Sequence, residues 1–411
     1  MLRKRFLIWD NPKDAMVAFV LFLMGLGAIN VFSASFVMAA ASGSPYHYLF
    51  RYLIFAVIGV AVMIFLGRKD YHIWLKHDHL IYGFCLVMLL AVEVLGRSVK
   101  GAQRWIIIGH FSFQPSEIVK LAIILVGAAW LGKMMDKGVR PQLFSHTMPP
   151  ILFMTRKAVP MIATLIPAAL VFHQPDMGTA AIILALILIM YYLAGLEKWE
   201  IGLIFLLLAA AVVMAVKMFP YRLNRIYVWL DPWKDAQNYG YQAVQSFVTI
   251  GSGGLIGDPV GMGSGKFFYL PEAHTDFAFA IFCQEMGFIG AVALILLFSL
   301  LSLAIFNIGR NTQDRSGFLL VTGVNFLVVG QAFANMAMVT GILPVIGVPL
   351  SFISYGGTSL IVSLAAIGLA ISVYRDEVRR EEAEIPKKPP VPVYHDSHYV
   401  GHRRPGGRWS R

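Results

Sequence analysis

Three ionisable side chains crowd a short stretch in the second half of the chain, where a polar segment gives way to an apolar one. The stretch reads YLPEAHTDFAF and carries Glu272, His274 and Asp276. A carboxylate that is partly shielded from water has a raised pKa and can act as a general base. A histidine beside carboxylates also suits a metal ion, although one histidine is a weak metal pattern. The stretch is therefore a candidate catalytic site, with proton abstraction as its first chemistry.

A second cluster combines positive charge with an indole. It consists of Lys100, Arg104 and Trp105, in a short polar excursion between two apolar runs. A guanidinium makes paired hydrogen bonds to phosphate oxygens, and an indole suits the boundary between lipid headgroups and hydrocarbon. The pattern favours binding of an anionic headgroup next to a hydrocarbon tail. The alternative is a set of interfacial anchors that binds no substrate.

Glu117 and Lys120 lie three residues apart near one end of an apolar segment, so a helix places them on one face. Ionisable groups at membrane depth are costly and normally face a cavity or each other. We interpret them as a polar wall of a substrate cavity. The other interpretation is a pair that locks its helix to a neighbouring helix.

The longest polar interruption spans about 217–276 and ends in the acidic stretch described above. Its first part contains Arg222 and Arg225, two further cations, followed by a turn at Asp231 and Pro232. The middle part, GYQAVQSFVTIGSGGLIG, predicts a short amphipathic helix that ends in a glycine-rich turn. That turn is not a phosphate-binding loop, because no GK[ST] follows it.

Two further polar breaks interrupt apolar segments. In HQPDMG, Asp176 is placed to cap the helix that follows. The segment PVIGVPLSFISYGGTS contains two prolines and three glycines, and it carries Ser354 and Tyr355. Broken backbone at membrane depth is tolerated only where protein or a water-filled cavity covers it. This segment could line the same cavity, or it could be a re-entrant turn that only packs.

Membrane helices must position these residues. Of the 411 residues, 58% are hydrophobic and 14% are charged, whereas about a quarter are charged in a soluble protein. Apolar runs long enough to cross about 30 Å of hydrocarbon recur along the chain. We predict an all-α polytopic membrane protein with about ten transmembrane helices and one long extracytoplasmic loop between helices 7 and 8. The predicted helices are 15–36, 48–67, 79–96, 114–133, 158–172, 178–195, 201–216, 277–307, 317–341 and 358–375.

Loop charges predict sidedness, because lysine and arginine collect on the cytoplasmic side. With the N-terminus inside, the inside segments collect most of the 34 basic residues. The excursion 97–113, the HQPDMG break, the long loop and the ISYGG segment then share the outer face. The net charge of +11 follows from this topology and does not indicate nucleic-acid binding. We predict a cytoplasmic N-terminal arm at 1–14, a transmembrane domain at 15–375 and a disordered, basic, Pro-rich cytoplasmic tail at 376–411.

Six sequence motifs occur in order along the chain. They are KGAQRWI (100–106), FQPSEIVKLA (113–122), QPDMGTA (174–180), GYQAVQSFVTIGSGGLIG (240–257), YLPEAHTDFAFAIFCQEMGFIG (269–290) and NMAMVTGILPVIGVPLSFISYGGTSL (335–360). Together they resemble the SEDS family of shape, elongation, division and sporulation proteins, which includes FtsW, RodA and SpoVE. LDPWKD, the LPEAHTD form and the Pro-rich tail resemble the FtsW and SpoVE branch more than RodA.

The resemblance implies a peptidoglycan glycosyltransferase of ten helices. Such a protein polymerises lipid II into β-1,4-linked glycan strands at the outer face of the bacterial cytoplasmic membrane, for septal or cell-wall synthesis. The implied partner is a class B penicillin-binding protein that cross-links the strands, together with other divisome or elongasome membrane proteins.

The resemblance also assigns residues. The family's essential loop aspartate falls on Asp276, and its conserved tryptophan and the neighbouring arginine fall on Trp105 and Arg104. One departure is Gln284, where the family has the first of two glutamates, so the role of that glutamate is in doubt here. The expected substrate-binding residues are Lys100, Arg104, Trp105, Glu117, Lys120, Arg222, Arg225, Glu272, His274, Ser354 and Tyr355.

Two roles stay open for Asp276. It could take the proton from the acceptor 4-hydroxyl, or it could ligate a divalent cation, Mg²⁺ or Mn²⁺, that stabilises the leaving pyrophosphate. Two other functions stay open for the chain. A lipid II flippase would move its substrate without lengthening it, but alternating access needs a midplane site rather than polar groups on one face. A non-catalytic division scaffold would leave Asp276 replaceable.

Overall fold

Helices make up most of the described chain. The computed structural model describes residues 9, 11–41, 43–99, 102–108, 111–143, 158–218, 227–267 and 270–384. A π-helical turn, Phe326–Gly330, joins the helices Arg315–Asn325 and Gln331–Val339. The helices are α1 (Pro12–Ala41), α2 (His47–Arg68), α3 (Tyr71–Lys76), α4 (Asp78–Leu95), α5 (Pro115–Asp136), α6 (Val159–His173), α7 (Met177–Leu193), α8 (Lys198–Met218), α9 (Tyr241–Ser252), α10 (Ala278–Asn311), α11 (Arg315–Asn325), α12 (Gln331–Val339) and α13 (Gly357–Glu384).

Six helical rods within these ranges are long and apolar enough to cross a membrane. They are α1, α2, α5, α10, the rod that runs from α11 through α12, and α13, while α6 and α7 are shorter apolar helices. Each of the ten predicted helices overlaps a helix of the structure. The prediction of a polytopic helical protein is confirmed, and the count of ten spans stays a prediction.

A three-stranded antiparallel sheet lies between α4 and α5. Its strands are β1 (Arg97–Val99), β2 (Ala102–Ile108) and β3 (Phe111–Phe113), in the order β1-β2-β3. The all-α prediction did not include this sheet. The three consecutive isoleucines of β2 were the available signal, since β-branched residues favour extended backbone. Strand β2 carries Arg104 and Trp105, so both residues project from a sheet.

Helix α13 packs against α2 more extensively than against its other neighbours in the described chain. A small residue permits this approach, because a Cβ on Gly59 would lie 2.5 Å from Leu364 Cδ1. Helix α2 carries Tyr48 near its first turn, and α13 begins two residues after Tyr355. The packing of these two helices therefore positions both tyrosines.

The glycine-rich part of the long loop docks into a break in α10. At Gly287 the backbone leaves helical geometry, with φ 64° and ψ −170°. Phe288 N donates to Gly254 O over 2.9 Å, so the loop satisfies a group that the break frees. A Cβ on Gly287 would lie 2.4 Å from Gly257 N, and the approach therefore requires glycine. Helix α9, which precedes this turn, confirms the predicted short helix.

Gln284 and Glu285 hold the same loop with their side chains. Gln284 Oε1 accepts from Gly265 N over 3.1 Å, and its amide nitrogen donates to Ser252 Oγ over 2.8 Å. Glu285 Oε1 accepts from Lys266 Nζ over 3.0 Å in a buried ion pair. Because the Gln284 amide supplies both a donor and an acceptor, glutamine suits this position.

The last helix extends past the predicted domain boundary at 375. It ends at Glu384, and an ion pair of 2.8 Å joins Arg380 to Asp376 one turn earlier. The first residues of the predicted disordered tail are therefore helical. The remainder of that tail lies outside the described residues.

Candidate active site

Asp276 lies two residues before α10 begins and lines a cavity of about 310 Å³. Glu272 and Thr275 line the cavity from the same segment, and Arg104 and Trp105 reach it from β2. The fold thus gathers two carboxylates, a guanidinium and an indole from distant parts of the sequence. The other lining residues are Gln114, Gly347, Pro349, Tyr355, Gly356, Thr358 and Ser359.

A buried amide fixes the main chain at Asp276. Asn335 on α12 is fully buried. Its Nδ2 donates to Asp276 O over 2.7 Å and to Val348 O over 2.6 Å. One side chain therefore ties the segment that carries the carboxylate to the segment that forms the facing cavity wall.

Gly347 leaves room for the carboxylate of Asp276. The glycine has φ +68°, a conformation that residues with a Cβ rarely adopt. An added Cβ would lie 3.4 Å from Asp276 Oδ2. At Gly347 the cavity wall beside the carboxylate is therefore backbone without a side chain, which leaves room for a substrate atom next to Asp276.

The turn before Asp276 is closed by Glu272. The carbonyl of Glu272 accepts from Thr275 N over 3.1 Å and from Phe277 N over 3.2 Å. Its Oε2 accepts from Thr275 Oγ1 over 2.8 Å. Glu272 itself has φ 56°, a strained conformation for a residue with a Cβ. Such strain persists where the surroundings impose it, and it is common at functional sites.

Arg104 bridges the cavity and the corner between α6 and α7. Its Nε donates to Gln174 O over 3.1 Å, and a terminal nitrogen donates to Pro175 O. A second terminal nitrogen lies 3.8 Å from Asp176 Oδ2. These contacts hold the guanidinium in place with about a quarter of the side chain exposed (27%). A fixed, partly exposed guanidinium can bind an anionic group in the cavity through its N–H donors.

Asp176 has the predicted capping role. Its Oδ1 accepts from Thr179 N over 3.1 Å at the start of α7, and its Oδ2 accepts from Gln114 Nε2 over 3.2 Å. Burial raises the pKa of Asp176 above its ordinary value, while the charge of Arg104 and the bonds to Thr179 oppose this shift.

His274 lies in an aromatic cluster and is not among the residues that line the cavity. Its ring centroid is 4.7 Å from that of Tyr48 and 5.8 Å from that of Tyr355. Its main-chain oxygen accepts from Tyr355 N over 2.8 Å. Tyr355 does line the cavity, whereas Ser354 is buried and its hydroxyl accepts from Leu350 N over 2.9 Å.

Glu117 and Lys120 form a buried ion pair behind the cavity wall. Lys120 Nζ lies 2.8 Å from Glu117 Oε1 and donates to Gln331 Oε1 over 2.6 Å. Gln331 Nε2 in turn donates to Pro349 O over 3.2 Å, and Pro349 lines the cavity. Neither charged residue lines the cavity. The geometry is that of the helix-locking interpretation, with an indirect contact to the site.

Three predicted substrate-binding residues, Lys100, Arg222 and Arg225, lie outside the described residues. Within the described chain, no group of three His, Cys, Asp or Glu side chains is arranged to hold a metal ion. Among the described residues, Glu272 and Asp276 are the two carboxylates that line the cavity. Mg²⁺ is commonly bound by one or two carboxylates together with substrate phosphates, and these residues fit that mode.

Sequence reasoning missed Asn335 and Gly347 as site residues. Both lie in the motif quoted at 335–360, so the motif marked the region without assigning their roles. An asparagine near one end of an apolar helix was the available signal, because a buried amide must find partners.

A family model described as Cell cycle protein, for FtsW, RodA and SpoVE, matches residues 14–379. The chain belongs to this family.

Relatives in the FtsW/RodA/SpoVE family match most of the chain. One from Geobacter sp. (strain M18), named probable peptidoglycan glycosyltransferase FtsW, is 38% identical over 84% of this chain and 92% of its own. Stage V sporulation protein E of Bacillus subtilis (strain 168) is 36% identical over 89% of this chain and 97% of its own. These names confirm the resemblance drawn from the six motifs.

Solved structures share the fold of this chain. A chain from a structure described as "Structural coordination of polymerization and crosslinking by a peptidoglycan synthase complex" has a TM-score of 0.72 at 28% identity, over 90% of this chain and 99% of its own. Rod shape determining protein RodA of Thermus thermophilus has a TM-score of 0.63 at 27% identity, over 90% of this chain and 98% of its own. The multi-pass membrane architecture is therefore that of the family.

Proposed function

We propose that the protein is a peptidoglycan glycosyltransferase that polymerises lipid II into β-1,4 glycan strands at the outer face of the cytoplasmic membrane. The observation that carries this proposal is the single cavity shared by Asp276 and Arg104. A carboxylate and a fixed guanidinium in one cavity suit a reaction that removes a proton at one end and releases pyrophosphate at the other. The names of the family relatives support the same reaction class.

The reaction assigns a step to each group. Asp276 takes the proton of the acceptor 4-hydroxyl as its oxygen attacks the donor anomeric carbon, contributing a factor of about 10² to 10⁴ as general bases do. The bond between that carbon and the pyrophosphate oxygen breaks with inversion, and the electron pair leaves with the pyrophosphate. Arg104 stabilises the pyrophosphate, because paired N–H donors match phosphate oxygens.

A divalent cation, Mg²⁺ or Mn²⁺, is the alternative partner for Asp276. Glu272 and Asp276 would hold it together with pyrophosphate oxygens. When bound, the ion would neutralise charge on the leaving group. Omission of divalent cations from the assay separates this role from general-base catalysis by Asp276 alone.

The membrane placement follows from the loop charges. The cavity is lined by residues from the excursion, the mouth of α10 and the segment before α13, which the sequence assigns to the outer face. The N-terminus and the tail are then cytoplasmic, and ten helices span the membrane. A one-sided cavity favours polymerisation over alternating access, because a flippase needs routes to both faces.

A class B penicillin-binding protein is the proposed partner, since the structural relative belongs to a complex that coordinates polymerization and crosslinking. Purified full-length protein, supplied with fluorescent lipid II in vesicles with and without that partner, tests the function. We expect a ladder of glycan products on a gel. Lipid II that crosses the vesicle membrane without being lengthened would contradict the proposal.

A further inference from the structure

A second cavity, of about 370 Å³, adjoins the candidate active site. Pro271 lines this second cavity, whereas the next residue, Glu272, lines the first. Likewise Val345 lines the second cavity and Gly347 lines the first. The two cavities are therefore lined by neighbouring residues of the segment that carries Asp276 and of the segment that faces it. The second cavity is an aromatic cavity, since its lining includes Trp229, Tyr239, Tyr241 and Phe247.

The lining of the aromatic cavity suits a neutral, hydroxyl-rich ligand. None of its described lining residues is Asp, Glu, Lys or Arg, and Asn238 and Gln242 supply side-chain amides. A pyranose ring has a face of C–H groups, which the negative face of an aromatic ring attracts, and a rim of hydroxyls, which amides bind. The volume lies within the range of small-molecule sites.

Trp229 and Phe247 of the aromatic cavity are held in place by contacts with Gly341. Trp229 Nε1 donates to Gly341 O over 3.1 Å, although the side chain is 39% exposed. Phe247 packs on the same glycine, where an added Cβ would lie 2.5 Å from its ring. Asn238 Nδ2 donates to Asp235 Oδ1 over 2.9 Å, which fixes the amide beside the cavity. A fixed platform loses little conformational entropy on binding.

We propose that the aromatic cavity binds sugar rings of the β-1,4-linked glycan chain and so retains the growing strand beside Asp276. The inference rests on the proposed function, which makes a product longer than one cavity can hold. It assigns a role to Trp229 as a stacking platform. A strand held there stays close to the carboxylate between successive transfers, which lengthens the product.

Direct binding tests the proposal without catalysis. Full-length Asp276→Asn protein, labelled with 5-fluorotryptophan, is titrated with the β-1,4-linked tetrasaccharide of N-acetylglucosamine and followed by ¹⁹F NMR. The Trp229 resonance, assigned by its loss in Trp229→Ala, should shift. The resonance of Trp233, which is exposed and outside the cavity lining, should not. An unmoved Trp229 resonance at millimolar tetrasaccharide overturns the proposal.

Substitutions separate stacking from structural support. Trp229→Ala should weaken tetrasaccharide binding about 3- to 10-fold, the size of one aromatic contact. Trp229→Phe should retain most of the binding, because it keeps a ring and loses only the bond to Gly341. Trp233→Ala is the matched control and should bind as the parent does. Equal loss in the Phe and Ala variants would show a structural role and contradict stacking.

Product length gives the second readout. In protein that keeps Asp276, and for equal lipid II consumed, Trp229→Ala should make shorter strands than the unsubstituted protein, and Trp233→Ala should make strands of the unsubstituted length. Tetrasaccharide binding without any strand synthesis by the unsubstituted protein would contradict the proposed function and leave the glycan site standing. Strand synthesis by a protein whose Trp229 resonance does not shift with tetrasaccharide would contradict the glycan site alone. If Trp229→Ala no longer binds the penicillin-binding protein, and the Trp229 resonance of the protein that keeps Trp229 does not shift with tetrasaccharide, the cavity is a protein-docking site and the proposal is wrong.

Discussion

Asn335 holds Asp276 in place through the main chain: its amide nitrogen lies 2.7 Å from the Asp276 carbonyl oxygen. The same nitrogen lies 2.6 Å from Val348 O, in the facing wall of the cavity. The position of the proposed catalytic carboxylate therefore depends on a residue of another helix that has no part in the chemistry.

Asn335→Ala should lower the polymerisation rate at least about 10-fold, because main-chain misplacement of a catalytic group is costly. It should also lower the free energy of unfolding by about 1–3 kcal/mol, since one buried and one partly buried carbonyl lose their donor. Gel assay of lipid II polymerisation and thermal unfolding in detergent measure the two effects. Asn325→Ala is the control: Asn325 joins α11 to Ser302 of α10 over 3.0 Å, away from the cavity. If both variants lose stability and activity in the same proportion, the positioning role is wrong.

Gly347→Ala should reduce polymerisation more than it reduces stability. The substitution strains a left-handed backbone by about 1–2 kcal/mol and also places a methyl group against the Asp276 carboxylate. Gly138→Ala is a matched control, because Gly138 has φ +64° and open space around the added Cβ. Both variants should unfold at lower temperature, and only Gly347→Ala should lose activity. Equal activity in the two would contradict the proposed approach path.

The buried pair of Glu117 and Lys120 permits a test of its two interpretations. Glu117→Gln or Lys120→Met alone should cost about 3–5 kcal/mol of unfolding free energy, because the partner charge is left buried and unpaired. The double variant should recover stability, since the unpaired charge is gone. Recovered polymerisation in the double variant is the result that helix locking predicts. Recovered stability without activity would show that the charges serve the substrate.

Asp176→Asn should change how stability depends on pH. Burial raises the pKa of Asp176 in the folded protein, so its contribution to stability is fully present below the unfolded value and is lost as pH rises through the raised pKa. Asparagine can still cap α7 and does not ionise. The variant should therefore gain melting temperature over the parent near pH 7, and the gain should shrink towards pH 4. A difference that grows on acidification would contradict the direction of the shift.

Local patterns predicted much of the fold. The apolar runs predicted ten helices, and each of the ten overlaps a helix of the structure. The position of Asp176 just before α7 likewise predicted its capping role. The sheet was missed because three short strands inside a polar excursion have too little alternation to read. Asn335 and Gly347 were missed because their contacts with Asp276 join residues far apart in the chain. A single sequence does not show which distant residues are in contact.

Which residues line the cavity could be determined only from the tertiary structure. Arg104 reaches it only because β2 orients the side chain towards the corner at Gln174, and Glu117 and Lys120 stand behind its wall instead of lining it. The residue types indicated the chemistry, while the tertiary contacts decided which of these residues line the cavity.

Catalysis by Asp276 is tested by the Asp276→Asn variant, purified as full-length protein and assayed for polymerisation of labelled lipid II with its partner transpeptidase present. Asp276→Asn should reduce the glycan product about 10²- to 10⁴-fold and leave the melting temperature unchanged. Asp231→Asn serves as the matched control, because Asp231 is a loop carboxylate paired with Lys234 and outside the cavity lining, and it should polymerise normally. Undiminished glycan product from Asp276→Asn would contradict the catalytic assignment.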